Sequence, residues 1–149
     1  MFPLPLPMRA ALDAARAAAD AGEVPVGAVV TLGERIVATA ANAPRRLCDP
    51  TAHAEMLAIR EAAQVLGRDR LEQCDLWVTL EPCAMCAGAI ANARVQRVYY
   101  GAADPKGGAV EHGPRFFTQP TCHHRPELYG DIGSAESAAL LRDFFEQRR

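Results

Sequence analysis

Two short runs decide how this chain is read: Asp49-Pro50-Thr51-Ala52-His53-Ala54-Glu55 and Leu80-Glu81-Pro82-Cys83-Ala84-Met85-Cys86. One imidazole and two thiols are donor types that zinc prefers, and three protein ligands leave a fourth tetrahedral position for water. The spacing Cys83-x-x-Cys86 lets both thiols project to one side of a first helical turn. Pro82 suits a helix start, where the partial positive charge favours the thiolates a metal needs. Glu55 follows His53 by two, within reach of a water on such a metal, where a carboxylate can move protons.

Outward from these runs the pattern alternates. Residues 8–21 read as an amphipathic helix, with Met8, Ala11, Leu12, Ala15, Ala18 and Ala19 on one stripe and Gly22 as its stop. Residues 26–31 and 35–41 read as strands of a hairpin turning at Leu32-Gly33-Glu34, and residues 42–50 as a polar loop. Thr51 or Asp49 is expected to cap a helix running to Leu66 and stopping at Gly67. A buried strand is expected over 76–80, a helix over 84–93 and a strand over 95–100. The Gly-, Pro- and His-rich stretch 101–133 leaves room for one short strand near 127–129. Residues 135–147 read as a closing helix with Leu140, Leu141, Phe144 and Phe145 on its apolar side. Phe144 and Phe145 cannot both point one way, so one is core and the other, taken as Phe145, is free to touch a substrate. Strands alternating with helices imply crossovers and a sheet covered on both faces, a three-layer α/β/α fold.

A chain of 149 residues is about one domain, here 1–149, with 1–7 as a flexible arm. Residues 1–7 are apolar but lack a basic start and hold three prolines, so they read as neither a signal peptide nor a membrane span. Five cysteines, an odd number, suit a reducing cytoplasm better than a disulfide framework. A net charge of −2 does not mark a nucleic-acid binder by itself. The positive groups to watch are Arg45, Arg46, Lys106 and Arg115, with Arg142, Arg148 and Arg149 near the C-terminus.

His-x-Glu followed by Pro-Cys-x-x-Cys is the signature of the zinc nucleobase deaminases. With Glu23-Val-Pro-Val-Gly-Ala28, Asn42, the run 78–90 and Tyr100-Gly-Ala-Ala-Asp-Pro-Lys106, the sequence resembles the bacterial tRNA-specific adenosine deaminases of the cytidine/deoxycytidylate deaminase superfamily. The resemblance implies a cytidine-deaminase-like α/β fold with a mixed five-stranded sheet, in which the helices carrying His53 and Cys83 meet at their N-termini. It implies one zinc per chain on His53, Cys83 and Cys86, and Glu55 as the catalytic proton carrier. It further implies substrate contacts from Asn42, from the backbone around Ala54, and from Asp104 and Lys106, with Asp104 against the sugar. The implied reaction is adenosine to inosine at the wobble position of a tRNA anticodon stem-loop, that of an arginine tRNA, by a homodimer. Ala103 and the run 106–113 depart from the family pattern, which bears on how RNA is gripped.

Other readings stand beside this one. Cys83 and Cys86 could form a redox pair, or a closed structural zinc site completed by Cys48 or Cys74. Cys122-His123-His124 looks like a second metal cluster, but adjacent loop residues rarely chelate together, and a substrate-facing or simply exposed loop is the preferred reading. A free-base enzyme such as a guanine deaminase would share the metal pattern and need a closed pocket, lidded by the C-terminal helix, instead of a basic rim. A non-catalytic, zinc-stabilised RNA-binding module would need a four-coordinate metal.

Overall fold

A computed structural model describes residues 3–148. A five-stranded sheet in the order β2-β1-β3-β4-β5 is formed by β1 (Gly27–Leu32), β2 (Arg35–Ala41), β3 (Cys74–Leu80), β4 (Arg97–Ala102) and β5 (Glu127–Tyr129). Pairs β1/β2 and β1/β3 are antiparallel, β3/β4 and β4/β5 parallel, so the sheet is mixed. Helices α1 (Leu6–Asp20) and α4 (Ser134–Glu146) pack together on one face; α2 (Ala54–Leu66) and α3 (Ala84–Ala93) pack together on the other. The three-layer architecture and the mixed five-stranded sheet are as expected.

Helix α3 makes the crossover between the parallel strands β3 and β4, a connection that parallel strands require. It is rich in alanine and nearly all buried, so Ala87 and Ile90 of α3, with Ala58 and Ala62 of α2, fill the core above Val30, Leu76, Val78 and Val98. On the opposite face Met8, Ala11 and Leu12 pack on Val29. Close approach there depends on Gly27, where an added Cβ would lie 1.9 Å from the carbonyl oxygen of Ala11. Beyond this cluster Trp77, Tyr99 and Tyr129, in register on β3, β4 and β5, form a stacked ladder with centroids 3.9 and 5.1 Å apart.

Several expected boundaries shift. The arm expected over 1–7 is shorter, because α1 begins at Leu6, with Pro7 tolerated in its first turn, and Leu4 packs against the Met8 cluster. Residues 1 and 2 lie outside the described residues, as does Arg149. Strand β4 starts two residues later than expected, because the Val95 amide closes α3 on Ile90 and the Gln96 amide bonds to Cys74 before pairing begins. Neither Asp49 nor Thr51 caps α2: Asp49 Oδ1 accepts the Thr51 amide and hydroxyl at 2.8 and 2.7 Å in a turn of its own. His53 occupies the N-cap position instead.

Candidate active site

Helices α2 and α3 present their N-termini to one place, and the N-cap residues are His53 and Cys83 themselves, both with extended backbone and no side-chain cap. Side chains that would ordinarily satisfy the first-turn amides are replaced by metal-type donors, which leaves partial positive charge facing the site. His53 Nδ1 lies 3.6 Å from Cys83 Sγ and 3.5 Å from Cys86 Sγ. In a tetrahedral zinc site the N···S edge is about 3.5 Å, from bonds of about 2.0–2.1 and 2.3 Å. Both N···S distances therefore match the spacing zinc requires, and all three donors lie within 4.8 Å of one another. Among the described residues no fourth Cys, His, Asp or Glu donor lies within 4.8 Å of all three. Cys48 is exposed elsewhere and Cys74 is buried at the start of β3.

The three donors also perturb one another. The Cys83 thiol is drawn down from 9.0 to about 4, chiefly by the hydrogen bond from the Cys86 thiol and then by His53 against the effect of burial. The same pairing pushes Cys86 far up, and the bond with Cys83 raises His53 above 6.5. Metal binding to such a set displaces protons from its donors.

Glu55, in the first turn of α2, is 4% exposed. Burial pushes its carboxyl up from 4.5 to about 7, the Cys83 charge adding to the rise and His53 opposing it. With His53 and Cys83 it lines an inner cavity of about 340 Å³, whose walls are completed by Val24, Val26, Asn42, Pro44, Leu80, Glu81, Asp104 and Gly107. A group that titrates near neutrality can both take and return a proton there.

The expected substrate residues fall into two places. Asn42 lines the inner cavity while its Oδ1 accepts the Ala54 amide at 2.8 Å, tying β2 to the start of α2. Ala54 is wholly buried and does not line the cavity, so its amide is committed to Asn42. Asp104 borders both the inner cavity and an outer one of about 600 Å³, which also includes Lys106, Leu141 and Phe145. Val24, Leu80, Asp104 and Gly107 border both, so the two spaces adjoin. Asp104 Oδ1 also accepts the Lys106 and Gly107 amides at 3.2 and 3.0 Å. Phe145 is 52% exposed, whereas Phe144 is buried beneath it with the Arg148 guanidinium 3.7 Å from its ring centroid.

The expected basic rim is reduced to one residue. Arg45 donates to the Gly22 carbonyl, Arg115 to the Glu111 carbonyl, and Arg46 lines a separate cavity beside the end of α1. The Cys122-His123-His124 loop is tied internally: Cys122 Sγ donates to the His124 carbonyl at 3.1 Å, and His124 Nε2 meets the Val95 carbonyl at 2.6 Å. Two buried carboxylates were given no role on sequence grounds. Glu23 accepts the Arg45 and Arg46 amides at 3.3 and 2.8 Å, and Glu81 accepts those of Asp104 and Val110 to His112.

Residues 6–102 match the family described as the cytidine and deoxycytidylate deaminase zinc-binding region. The chain belongs to this deaminase family. A tRNA-specific adenosine deaminase of Agrobacterium fabrum is 56% identical to it over 142 residues, 95% of this chain and 93% of that one. A solved structure from studies of A-to-I editing by tRNA:A34 deaminases at the wobble position of transfer RNA superposes with a TM-score of 0.90. It is 55% identical, over 91% of this chain and 99% of that one. A guanine deaminase from Bacillus subtilis superposes with a TM-score of 0.63 at 41% identity, over 66% of this deaminase and 63% of that chain.

Proposed function

We propose that this chain is a zinc-dependent hydrolase that converts adenosine to inosine at the wobble position of a tRNA anticodon stem-loop. The observation that carries the reading is the adjacency of two spaces that share the walls Val24, Leu80, Asp104 and Gly107. The inner one, with three zinc-type donors and the buried Glu55, suits a single base; the outer one, walled by Lys106 and Phe145, suits the nucleotides on either side of it. The Agrobacterium fabrum relative and the tRNA:A34 deaminase structure support the same substrate.

His53, Cys83 and Cys86 would hold a zinc ion, which when bound would supply a polarised water for C6 of the adenine. Glu55 takes one proton of that water and gives it to the ring nitrogen N1, then takes the second from the new C6 hydroxyl and gives it to the departing amine. Water is consumed, ammonia leaves and inosine remains. Asn42 holds the purine edge through its side-chain amide, Ala54 serves by fixing Asn42, and Asp104 lies toward the sugar. Lys106 and Phe145 meet the flanking backbone and base. The reading extends to a single domain over 1–149, supported by the chain length, and to the cytoplasm, supported by the cysteine usage; the homodimer and the arginine tRNA rest on the family resemblance. No helix among the described residues is long and apolar enough to cross a membrane.

The test is to incubate zinc-loaded protein with an anticodon stem-loop bearing a wobble adenosine, beside free guanine, adenosine and cytidine. Inosine in the RNA alone is expected. Ammonia from guanine with the stem-loop untouched would transfer the chemistry to a free base.

A further inference from the structure

Glu81 sits between Leu80, the last residue of β3, and Pro82-Cys83, where α3 begins. Its side chain is 0% exposed. Such a charge requires full hydrogen bonding, and here main chain supplies most of it. Oε1 accepts the Asp104 amide at 2.9 Å and meets His112 Nδ1 at 2.8 Å; Oε2 accepts the amides of Val110, Glu111 and His112 at 3.1, 3.0 and 3.1 Å. Successive amides turned toward one anion form a nest, and the anion is part of the protein.

The loop is moulded closely to this carboxylate. At Gly108 an added Cβ would lie 2.4 Å from the Glu81 carboxyl carbon and 2.5 Å from the Asp104 carbonyl oxygen. Backbone bonds from Glu81 N to the Ala102 carbonyl, at 2.8 Å, and from Ala109 N to the Pro82 carbonyl, at 2.9 Å, fasten the same segment on either side. Glu111 then accepts the Tyr100 hydroxyl at 2.6 Å. Glu81, Glu111 and His112 lie close enough to resemble a metal group, but Glu81 is filled by these internal donors. The wrapped segment carries Asp104, Lys106 and Gly107, which border the two cavities.

We propose that Glu81 is a positioning residue: its buried carboxylate sets the substrate-facing segment 104–108 at a fixed place relative to Cys83, two residues away along the chain. This deepens the deaminase reading and rests on it for the choice of substrate. Glu81 borders the inner cavity, but its side chain is 0% exposed and both of its oxygens are engaged by loop donors, so it is not offered to the substrate. It acts through the amides of the loop, so its removal loosens substrate contacts before it harms the metal donors.

The test compares zinc-loaded wild type with Glu81→Gln, which keeps the shape and removes the charge. By hydrogen exchange, peptides covering 104–112 are expected to exchange at least about tenfold faster, with α2 and α3 unchanged. In steady state KM for the stem-loop is expected to rise about tenfold, with kcat held within about threefold and zinc content unchanged. In an Asp104→Ala/Lys106→Ala background Glu81→Gln should add little, because its effect passes through those side chains. Gly108→Ala, which displaces the loop and leaves the charge, should reproduce the pattern and carries the test if Glu81→Gln fails to fold. Unchanged exchange at 104–112, equal acceleration everywhere, a fall in kcat at constant KM, or fully additive losses would each overturn the proposal. Wild-type protein inert toward the stem-loop would overturn the substrate reading instead, and the exchange comparison would still decide the role of Glu81.

Discussion

Changing Asn42 to alanine and, separately, to aspartate divides the two tasks that its side chain performs. Its Oδ1 accepts the Ala54 amide at 2.8 Å, and Ala54 is fully buried at the start of α2. In Asn42→Ala that amide has no partner. Loss of an N-terminal acceptor of this kind costs about 1–2 kcal/mol. With an unfolding entropy of ~2.1 cal/mol/K per residue, a chain of this length loses ~3 °C of Tm per kcal/mol, so a fall of about 3–6 °C is expected. Asn42→Asp keeps the acceptor, and a carboxylate is welcome beside a helix N-terminus, so Tm should stay within about 1 °C of wild type. The aspartate nonetheless replaces the amide donor at the cavity wall with an acceptor, and kcat/KM should fall about ten- to a hundredfold. The assays are thermal unfolding of zinc-loaded protein and inosine formation in a stem-loop. Full activity of Asn42→Asp would refute the donor role, and an unchanged Tm for Asn42→Ala would refute the capping role.

The adjacent phenylalanines should separate in the same two assays. Phe145→Ala, at an exposed position on the outer cavity, is expected to lower kcat/KM about tenfold with little change in Tm, as loss of base stacking would. Phe144→Ala removes a buried ring and should cost about 3 kcal/mol of stability by denaturant titration. Gly27→Ala places a methyl against the Ala11 carbonyl and should destabilise by more than about 4 kcal/mol; a wild-type melting curve would show that α1 does not press on β1 this closely. Glu136 is held below its ordinary 4.5 chiefly by its hydrogen bond from Arg9, with Arg16 adding to the effect, so its contribution is present above 4.5 and is lost as pH falls through the lowered folded value. The Tm difference between wild type and Glu136→Gln should accordingly shrink on acidification, and a constant difference would rule out the clamp between α1 and α4.

The metal donors were legible because their chemistry is local: two thiols at one-turn spacing after a proline, and an imidazole two residues from a carboxylate. The limits of α3 were legible for the same reason, since the helix is short, rich in alanine and bounded at Cys83 and Arg94. What misled at α2 was a sound rule applied to the wrong residue. Asp49 and Thr51 are good caps, but they bond to each other, and the metal-facing His53 takes the N-cap position. Glu23 and Glu81 were illegible because they bond chiefly to backbone amides, and amides have no sequence signature. The basic rim failed because charge along the chain does not say which carbonyl an arginine will find; Arg45 and Arg115 each found one nearby.

Zinc content and inosine yield measured on the same preparation of Glu55→Gln test the central claim most directly. The buried Glu55 carboxyl, pushed up to about 7, is the group assigned to move protons, and it is not one of the three metal donors. The expected result is one zinc per chain, as in wild type, with turnover of the stem-loop reduced by at least about a hundredfold. Turnover within tenfold of wild type at full zinc content would contradict it.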